Sequence, residues 1–285
     1  METCPYCNNS EGRQFTVYSR TYHCCLSCDL IYQVPLKYYD DVVTTYRKSY
    51  FIEHSADQTG GNRNTLFSHA LDLIETKRRI GKLLDVGTGC GFFLIAANKR
   101  GWQVKGVEPS VQSVELARQQ YGLDVFNGTL RDYHDESQFD VITFNNVLEH
   151  SVLPWQEIAL ANKLLRPGGI LYLRFPNGLL HSRIQLLARR CGLSNSLSKL
   201  LVFHIYSFTP IFTKRLLRDH GFGQIIIKNS PPSEGDPNKL FPNPTLSTYA
   251  KRLVYLLAQT AQVLSGGAFL LGSSLEAIAS KRTDN

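Results

Sequence analysis

A glycine-rich turn between a strand and a helix constrains this chain more than any other part of its sequence. Residues 83–91 read Leu-Leu-Asp-Val-Gly-Thr-Gly-Cys-Gly, between an apolar run (Lys82–Val86) and a segment with helical periodicity (Phe92–Arg100). Glycine lets a backbone turn tightly and approach a ligand, and a helix N-terminus offers free N–H groups. The Gly-x-Gly-x-Gly spacing differs from the Gly-x-Gly-x-x-Gly of pyrophosphate-binding loops, which favours a ligand without phosphate.

Strands and helices alternate on both sides of this turn. Strands are predicted at Lys82–Val86, Gln103–Val107, Asp124–Phe126, Phe139–Phe144, Ile170–Phe175, Gln224–Lys228 and Ser274–Ser280. Helices are predicted at Leu66–Ile80, Phe92–Arg100, Val111–Tyr121, Trp155–Leu165, Leu179–Leu201, Pro210–His220 and Thr248–Leu264, the last covering the sheet. This order predicts an α/β fold: a doubly wound, mostly parallel, seven-stranded Rossmann-like sheet with helices on both faces.

Two Cys-x-x-Cys pairs, Cys4 with Cys7 and Cys25 with Cys28, precede the α/β region and are separated by 17 residues. Four thiolates at this spacing favour one closed, tetrahedral structural zinc site per chain. A redox role is less favoured, because a thioredoxin-like Cys-x-x-Cys lies on the strand–helix turn of a βαβ unit. The predicted organisation is a zinc ribbon (1–35), a polar linker (36–62) and the α/β domain (63–285). A basic lid insertion (179–207) follows its fifth strand.

An acidic residue ends the second strand of the α/β region. Glu108, in Val-Glu-Pro-Ser, follows the glycines by about twenty residues, a position from which a carboxylate accepts hydrogen bonds from ribose hydroxyls.

Together these motifs resemble the class I S-adenosylmethionine-dependent methyltransferases, in order from Gly81 to Leu173. The glycine turn is similar to the family's first motif, and Phe139–Phe144 and Leu164–Leu173 are similar to its fourth strand and to the turn and fifth strand. The resemblance implies S-adenosylmethionine as cofactor, its methionine end facing Gly87 and Gly89, its ribose bound by Glu108 and its adenine near residues 128–130. The implied cofactor site comprises Asp85, Gly87, Thr88, Gly89, Gly91, Glu108, Pro109, Gly128, Thr129, Leu130, Asn145 and Asn146.

Two histidines are candidate general bases, His150 and His204. In this superfamily the segment after the fourth strand, here Asn-Asn-Val-Leu-Glu-His, lines the cleft between methionine and substrate. Its Glu-His pair resembles metal-using members, which carry an acid three residues before the glutamate. Here that residue is Asn146, a weaker divalent-metal ligand, so metal-assisted catalysis is not expected. His204 lies in a His-x-Tyr-x-Phe-Thr stretch similar to one in the small-molecule branch. A neutral imidazole accepts a hydroxyl proton, and a structural role for either histidine remains open.

The net charge of +7 is concentrated in one segment, because Lys163–Arg218 contains ten basic residues and no Asp or Glu. Such a surface attracts phosphorylated substrates, acidic lipid or nucleic acid, although it also suits a solvated face. Our hypothesis is that Arg183, Arg189 and Arg190 bind a phosphate on the acceptor. The same helix also has the pattern of a peripheral membrane helix.

The sequence predicts methyl transfer to a hydroxyl, and less strongly to a carbon, of a small-molecule, sugar, or lipid- or nucleotide-linked acceptor. One alternative is an rRNA or tRNA methyltransferase whose zinc ribbon recognises RNA. Another is a non-catalytic, cofactor-binding interaction protein.

The N-terminus lacks a basic start and an apolar run, which predicts no signal peptide and a cytoplasmic protein. Residues 254–275 carry no charge, but Gln259, Gln262, Gly266 and Gly267 interrupt the stretch, so no transmembrane span is predicted.

Overall fold

The computed structural model describes residues 3–17, 19–36, 63–135, 138–193, 201–234 and 244–283. Its strands are β1 (Gly12–Val17), β2 (Arg20–Cys25), β3 (Ile31–Val34), β4 (Lys82–Val86), β5 (Gln103–Glu108), β6 (Val125–Asn127), β7 (Phe139–Asn145), β8 (Leu165–Pro176), β9 (Tyr206–Ser207), β10 (Phe222–Asn229) and β11 (Ser274–Lys281). Its α-helices are α1 (Asn64–Glu75), α2 (Phe92–Lys99), α3 (Val111–Tyr121), α4 (Pro154–Leu164), α5 (Gly178–Arg190), α6 (Pro210–Asp219) and α7 (Pro244–Leu264). A short 3₁₀ helix spans Leu148–His150.

A seven-stranded sheet forms the centre of the fold, in the order β10-β11-β8-β7-β4-β5-β6. The strands from β8 to β6 are parallel, and β11 runs antiparallel between β8 and β10. The predicted doubly wound, mostly parallel α/β fold is therefore confirmed. The strand order reverses between β4 and β7, which opens a crevice at the carboxyl edge of the sheet.

Several predicted boundaries in this domain are wrong, and the largest difference is in the helix predicted at Leu179–Leu201, which ends at Arg190. The first helix ends at Glu75 and not at Ile80, because the following residues turn towards β7. There Arg78 Nη2 and the backbone N–H of Lys82 donate to the Asp140 carboxylate at 2.8 and 2.9 Å. The predicted fifth strand, Ile170–Phe175, extends to Leu165–Pro176.

A second, four-stranded sheet lies at the N-terminus, in the order β1-β2-β3-β9. Strands β1, β2 and β3 are antiparallel neighbours, and β3 pairs with β9 through Ile31 with Ser207 and Tyr32 with Tyr206. The predicted ribbon therefore shares a sheet with the predicted lid insertion. Cys4 and Tyr32 also belong to the same buried cluster as Phe144 of the central sheet, so the two sheets share one core.

Two predicted parts of the chain lie partly outside the described residues. Residues 37–62 of the predicted linker and residues 194–200 of the predicted lid helix are not described. No helix within the described ranges is both long and apolar enough to cross a membrane.

Helix α7 contacts the end of β10, as predicted for a helix covering the sheet, but most of its large apolar side chains are exposed. Ala258 is buried there, whereas Leu256, Leu257 and Leu264 are exposed. The contact is polar because Asn229 ends β10 and hydrogen-bonds to this helix.

Candidate functional site

The glycine turn connects β4 to α2 at the crevice. Gly87, Gly89 and Gly91 have φ values of +68°, +55° and +83°, in the left-handed region that favours glycine. A Cβ at Gly87 would lie 2.5 Å from Cγ2 of Val147, so the turn also approaches its neighbour too closely for a side chain. Gly91 is the N-cap of α2. The turn thus presents backbone to the crevice for the reason predicted from its sequence.

Glu108 at the end of β5 holds this turn in place. Its Oε2 accepts the backbone N–H of Gly89 and its Oε1 that of Ser110, both at 2.8 Å. The side chain is 3% exposed, and burial raises its pKa to about 7. A carboxylate has about four acceptor positions, so two backbone donors leave capacity for ligand hydroxyls.

A second buried carboxyl, Asp85, lies near the end of β4. Its Oδ1 accepts from Thr143 Oγ1 at 2.6 Å and from Asn145 Nδ2 at 3.2 Å, both on the neighbouring strand β7. Burial raises the pKa of Asp85 to about 6. Asp85 therefore couples the glycine turn to the adjoining strand.

One pocket at the carboxyl edge collects nearly the whole predicted cofactor site. The predicted residues that line it are Asp85, Gly87, Thr88, Gly89, Glu108, Pro109, Gly128, Thr129, Leu130, Asn145 and Asn146, together with His150. Gly91 is absent from the lining because it begins α2 behind the turn. Two carboxyls in a mostly apolar pocket suit a ligand that brings positive charge and hydroxyl groups, which is the chemistry of S-adenosylmethionine.

Other residues that the sequence did not single out also line the pocket, including Arg63, Phe67, Phe92, Val152 and Glu157. Phe92 had a local signal, since it directly follows the third glycine. Arg63 and Phe67 had none, because α1 reaches the pocket only through the tertiary fold.

The two candidate bases face each other. The ring centroids of His150 and His204 lie 4.0 Å apart with an interplanar angle of 56°. His150 lines the pocket, and His204 is not among the lining residues. Their pairing joins segments more than fifty residues apart in the sequence.

The N-terminal sheet holds the segment that carries His204. Phe203 packs against Phe15 and Tyr22, with ring centroids 5.7 and 5.1 Å away. On the other side of the histidine, the N–H of Gln33 donates to the carbonyl of Ile205 at 2.9 Å. The first 35 residues therefore position a side chain beside the pocket.

A buried polar chain supports the adjoining segment. Arg174 Nη1 donates to Asn146 Oδ1, and Asn146 Nδ2 donates to Glu149 Oε1 at 2.9 Å. Burial raises the pKa of Glu149 to about 7. The sequence signal for this network is an arginine inside the apolar strand β8.

Glu149, His150 and His204 form a cluster that meets the geometric requirement for a metal site. Each offers a ligand atom, and these atoms all lie within 4.8 Å of one another. Metal-assisted catalysis was not expected because Asn146 is a weak ligand for divalent metals. The cluster offers three candidate ligands without Asn146, so the weakness of that residue as a ligand does not exclude a metal at this site.

The four predicted zinc ligands also meet. Cys4 Sγ lies 3.6 Å from Cys28 Sγ, and Cys7 Sγ lies 3.5 Å from Cys25 Sγ. All four sulfurs lie within 4.8 Å of one another. A tetrahedral zinc with bonds of about 2.3 Å would set its sulfurs about 3.8 Å apart, close to these distances.

The two Cys-x-x-Cys turns have the same backbone geometry. The residue after each second cysteine, Asn8 or Asp29, has a φ near +60°. Its N–H donates to the carbonyl of the first cysteine of its pair, at 2.9 and 3.0 Å. Asn and Asp tolerate this conformation better than other side chains, so the local sequence favours two matching turns that present thiols to one point.

The arginines proposed to bind acceptor phosphate do not reach the pocket. Arg183, Arg189 and Arg190 are exposed on α5, and the pocket lining includes no described residue of that helix. The inner side of α5 packs instead on the N-terminal sheet, where Gln185 Nε2 donates to the carbonyl of Thr16 at 2.9 Å.

A family model described as "Methyltransferase domain" matches residues 60–225. An "Uncharacterized methyltransferase" of Mycobacterium sp. (strain KMS) is 36% identical over 126 residues, covering 42% of this chain and 47% of that protein. A "Ubiquinone biosynthesis O-methyltransferase" of Actinobacillus pleuropneumoniae serotype 5b (strain L20) is 33% identical over 103 residues, covering 32% and 44%. The chain thus spans less than half the length of these curated relatives.

Among solved structures, a SAM-dependent methyltransferase from Archaeoglobus fulgidus superposes with a TM-score of 0.52 at 18% identity, covering 82% of this chain and all of that one (100%). At this identity the likeness concerns the fold alone.

Proposed function

The chain belongs to the methyltransferase domain family, and from that premise we propose that it transfers a methyl group from S-adenosylmethionine to a hydroxyl of its acceptor. The observation that carries the proposal is the His150–His204 pair, with His150 in the pocket lining and the two rings 4.0 Å apart. The A. pleuropneumoniae relative is named as an O-methyltransferase, which supports oxygen as the atom that is methylated. We propose a small-molecule, sugar, or lipid- or nucleotide-linked acceptor.

We further propose that the pocket residues divide the cofactor between them. The turn at Gly87 and Gly89 faces the methionine end, Glu108 accepts hydrogen bonds from the ribose, and residues 128–130 lie against the adenine. The shared pocket lining supports this assignment. The buried carboxyls of Asp85 and Glu108 add negative potential where a sulfonium would lie.

The cofactor supplies a methyl group already activated by a positively charged sulfur. The protein's part is to align the acceptor oxygen with that methyl group and to exclude water. A neutral imidazole of the histidine pair would accept the hydroxyl proton when the methyl group passes to the acceptor oxygen and S-adenosylhomocysteine is left. Asn146 and Arg174 keep the Glu149–His150 turn in position through their buried hydrogen bonds.

The atom methylated can be tested directly. The purified chain, supplied with S-adenosylmethionine carrying a ¹³C-labelled methyl group and a panel of hydroxylated small molecules and sugars, is expected to produce methyl ethers. Carbon NMR distinguishes a methyl on oxygen from one on carbon or nitrogen. Products methylated only on carbon or nitrogen would contradict the proposal.

We also propose that Cys4, Cys7, Cys25 and Cys28 bind one structural zinc. Replacing Cys4 and Cys7 together with Ser is expected to reduce zinc from about one per chain to near zero. Metal binding to such sites contributes folding energy, so the melting temperature should fall by roughly 5 °C or more. Elemental analysis and calorimetry measure the two effects. Cys24→Ser is the matched control, because Cys24 is next to Cys25 in the sequence but does not belong to the cluster. Equal zinc content in the two variants would contradict the assignment of the four cysteines as zinc ligands.

A further inference from the structure

Helix α7 turns the amides of Gln259 and Gln262 towards the protein. Asn229, fully buried at the end of β10, donates from Nδ2 to the carbonyl of Ala258 at 3.0 Å and to Gln262 Oε1 at 2.9 Å. Gln259 Nε2 lies on the same side, 3.4 Å from the carbonyl of Asn229. The helix is therefore held on the sheet by hydrogen bonds at this point.

The sides of α7 away from this contact, and the turn that follows the helix, carry large apolar side chains, each between 47% and 83% exposed. This outer apolar surface comprises Leu246, Tyr249, Leu253, Val254, Leu256, Leu257, Val263, Leu264, Phe269 and Leu271. Single exposed apolar residues are normal, but so many on one helix and its turn form a patch of the kind that marks an interaction surface. The usual amphipathic arrangement of a surface helix is inverted here.

Helix α5 has the same inverted arrangement. His181, Ser182 and Gln185 are buried, whereas Leu186 and Leu187 are 41% and 63% exposed. The N–H of Val202 donates to Nδ1 of His181 at 2.8 Å, so this inner side is also held by polar contacts.

The start of α5 and the turn after α7 meet at the carboxyl edge of the sheet. The side chain of Asn177, the N-cap of α5, donates to the carbonyls of Leu270 and Gly272 in the turn after α7, both at 2.9 Å. Strand β10 runs in the same direction as β8, because both are antiparallel to β11. Asn229 and α5 therefore lie at the edge where the pocket opens.

The charges on both helices have one sign. Segments 163–218 and 244–275 contain no Asp or Glu. Arg183, Arg189 and Arg190 are exposed beside the leucines of α5, and none of them forms an ion pair with a described carboxylate. A second copy of this chain would bring like charges together. An anionic lipid surface provides both an acyl boundary for the leucines and phosphates for the arginines.

We propose that the chain binds the surface of anionic lipid membranes. The outer apolar surface inserts at the boundary between headgroups and acyl chains, and Arg183, Arg189 and Arg190 contact lipid phosphates. The membrane then lies at the sheet edge where the pocket opens. This binding does not depend on which atom the chain methylates.

Vesicle sedimentation tests the proposal with the full chain and two vesicle compositions, phosphatidylcholine alone and phosphatidylcholine with phosphatidylglycerol. Binding should be at least tenfold tighter to the anionic vesicles and should weaken with salt. The variant with Leu253→Gln, Leu257→Gln and Leu264→Gln should lose at least tenfold in affinity for them. Charge contributes about fivefold per arginine near such a surface, so replacing Arg183, Arg189 and Arg190 with Gln should also cost at least tenfold and flatten the salt dependence.

The matched control replaces Ile80 and Ile211 with Gln, since both are more than half exposed and lie outside the outer apolar surface. It should bind vesicles as the unmodified chain does. Circular dichroism and binding of S-adenosylhomocysteine establish that each variant is folded and separate this test from that of the methyl transfer. Absence of vesicle binding would overturn the proposal. So would a dimer in light scattering that the leucine variant converts to a monomer.

Discussion

Replacing His204 with Ala is expected to lower kcat by about 100-fold or more, with little change in the affinity for S-adenosylhomocysteine. A positioned general base contributes roughly 10²–10⁴-fold to a rate, and His204 lies outside the pocket lining, so cofactor contacts remain. His150→Ala should have a similar effect. If the rings act as one unit, the double variant should be little worse than either single one, because effects within a unit are not additive.

The matched control is His134→Ala, which removes an exposed histidine away from the pocket lining. Added imidazole should partly restore the His204→Ala variant if the lost group is a base. The unmodified chain can also be assayed with a chelator. If its activity is lost and then recovers when a divalent cation is added, His150, His204 and Glu149 would be assigned as metal ligands instead. Unchanged kcat in both single variants would assign the pair a purely structural role.

Replacing Glu108 with Ala is expected to weaken binding of S-adenosylmethionine and S-adenosylhomocysteine by about ten- to a hundredfold. Charge-assisted hydrogen bonds contribute about 1.5–3 kcal/mol. Glu108 also accepts the N–H of Gly89, so the variant frees the glycine turn as well. Titration calorimetry measures both dissociation constants.

Glu115→Ala, on the exposed side of α3, removes an acid of the same type away from the pocket and should leave both constants unchanged. Glu108→Gln separates the two roles of the residue. The glutamine keeps an oxygen that accepts one backbone N–H, but its NH₂ group faces the other N–H, and two donors cannot form a hydrogen bond. An intermediate loss of cofactor affinity is therefore expected. Wild-type affinity in Glu108→Ala would contradict the assignment of the cofactor site.

The local sequence determined those features whose physical cause lies within a few residues. Only glycine readily adopts the left-handed conformations of the turn at 87, 89 and 91, and the short apolar run before it, Lys82–Val86, forms the predicted buried strand. Once the strand order is known, Glu108 at a strand end must lie at the crevice. The Cys-x-x-Cys turns are local too, since Asn8 and Asp29 close them with hydrogen bonds to the preceding cysteines.

Tertiary structure alone decided the features that join distant segments. The contact of His150 with His204 depends on the pairing of β3 with β9, a two-residue strand too short to have a periodic pattern. The outward leucines of α7 are a second case, because helical periodicity locates an apolar stripe but does not say which side faces the core. The orientation follows from the buried amide of Asn229, because an unpaired amide inside the protein is costly. The glutamine side of the helix therefore packs inward against Asn229, and the leucines face outward.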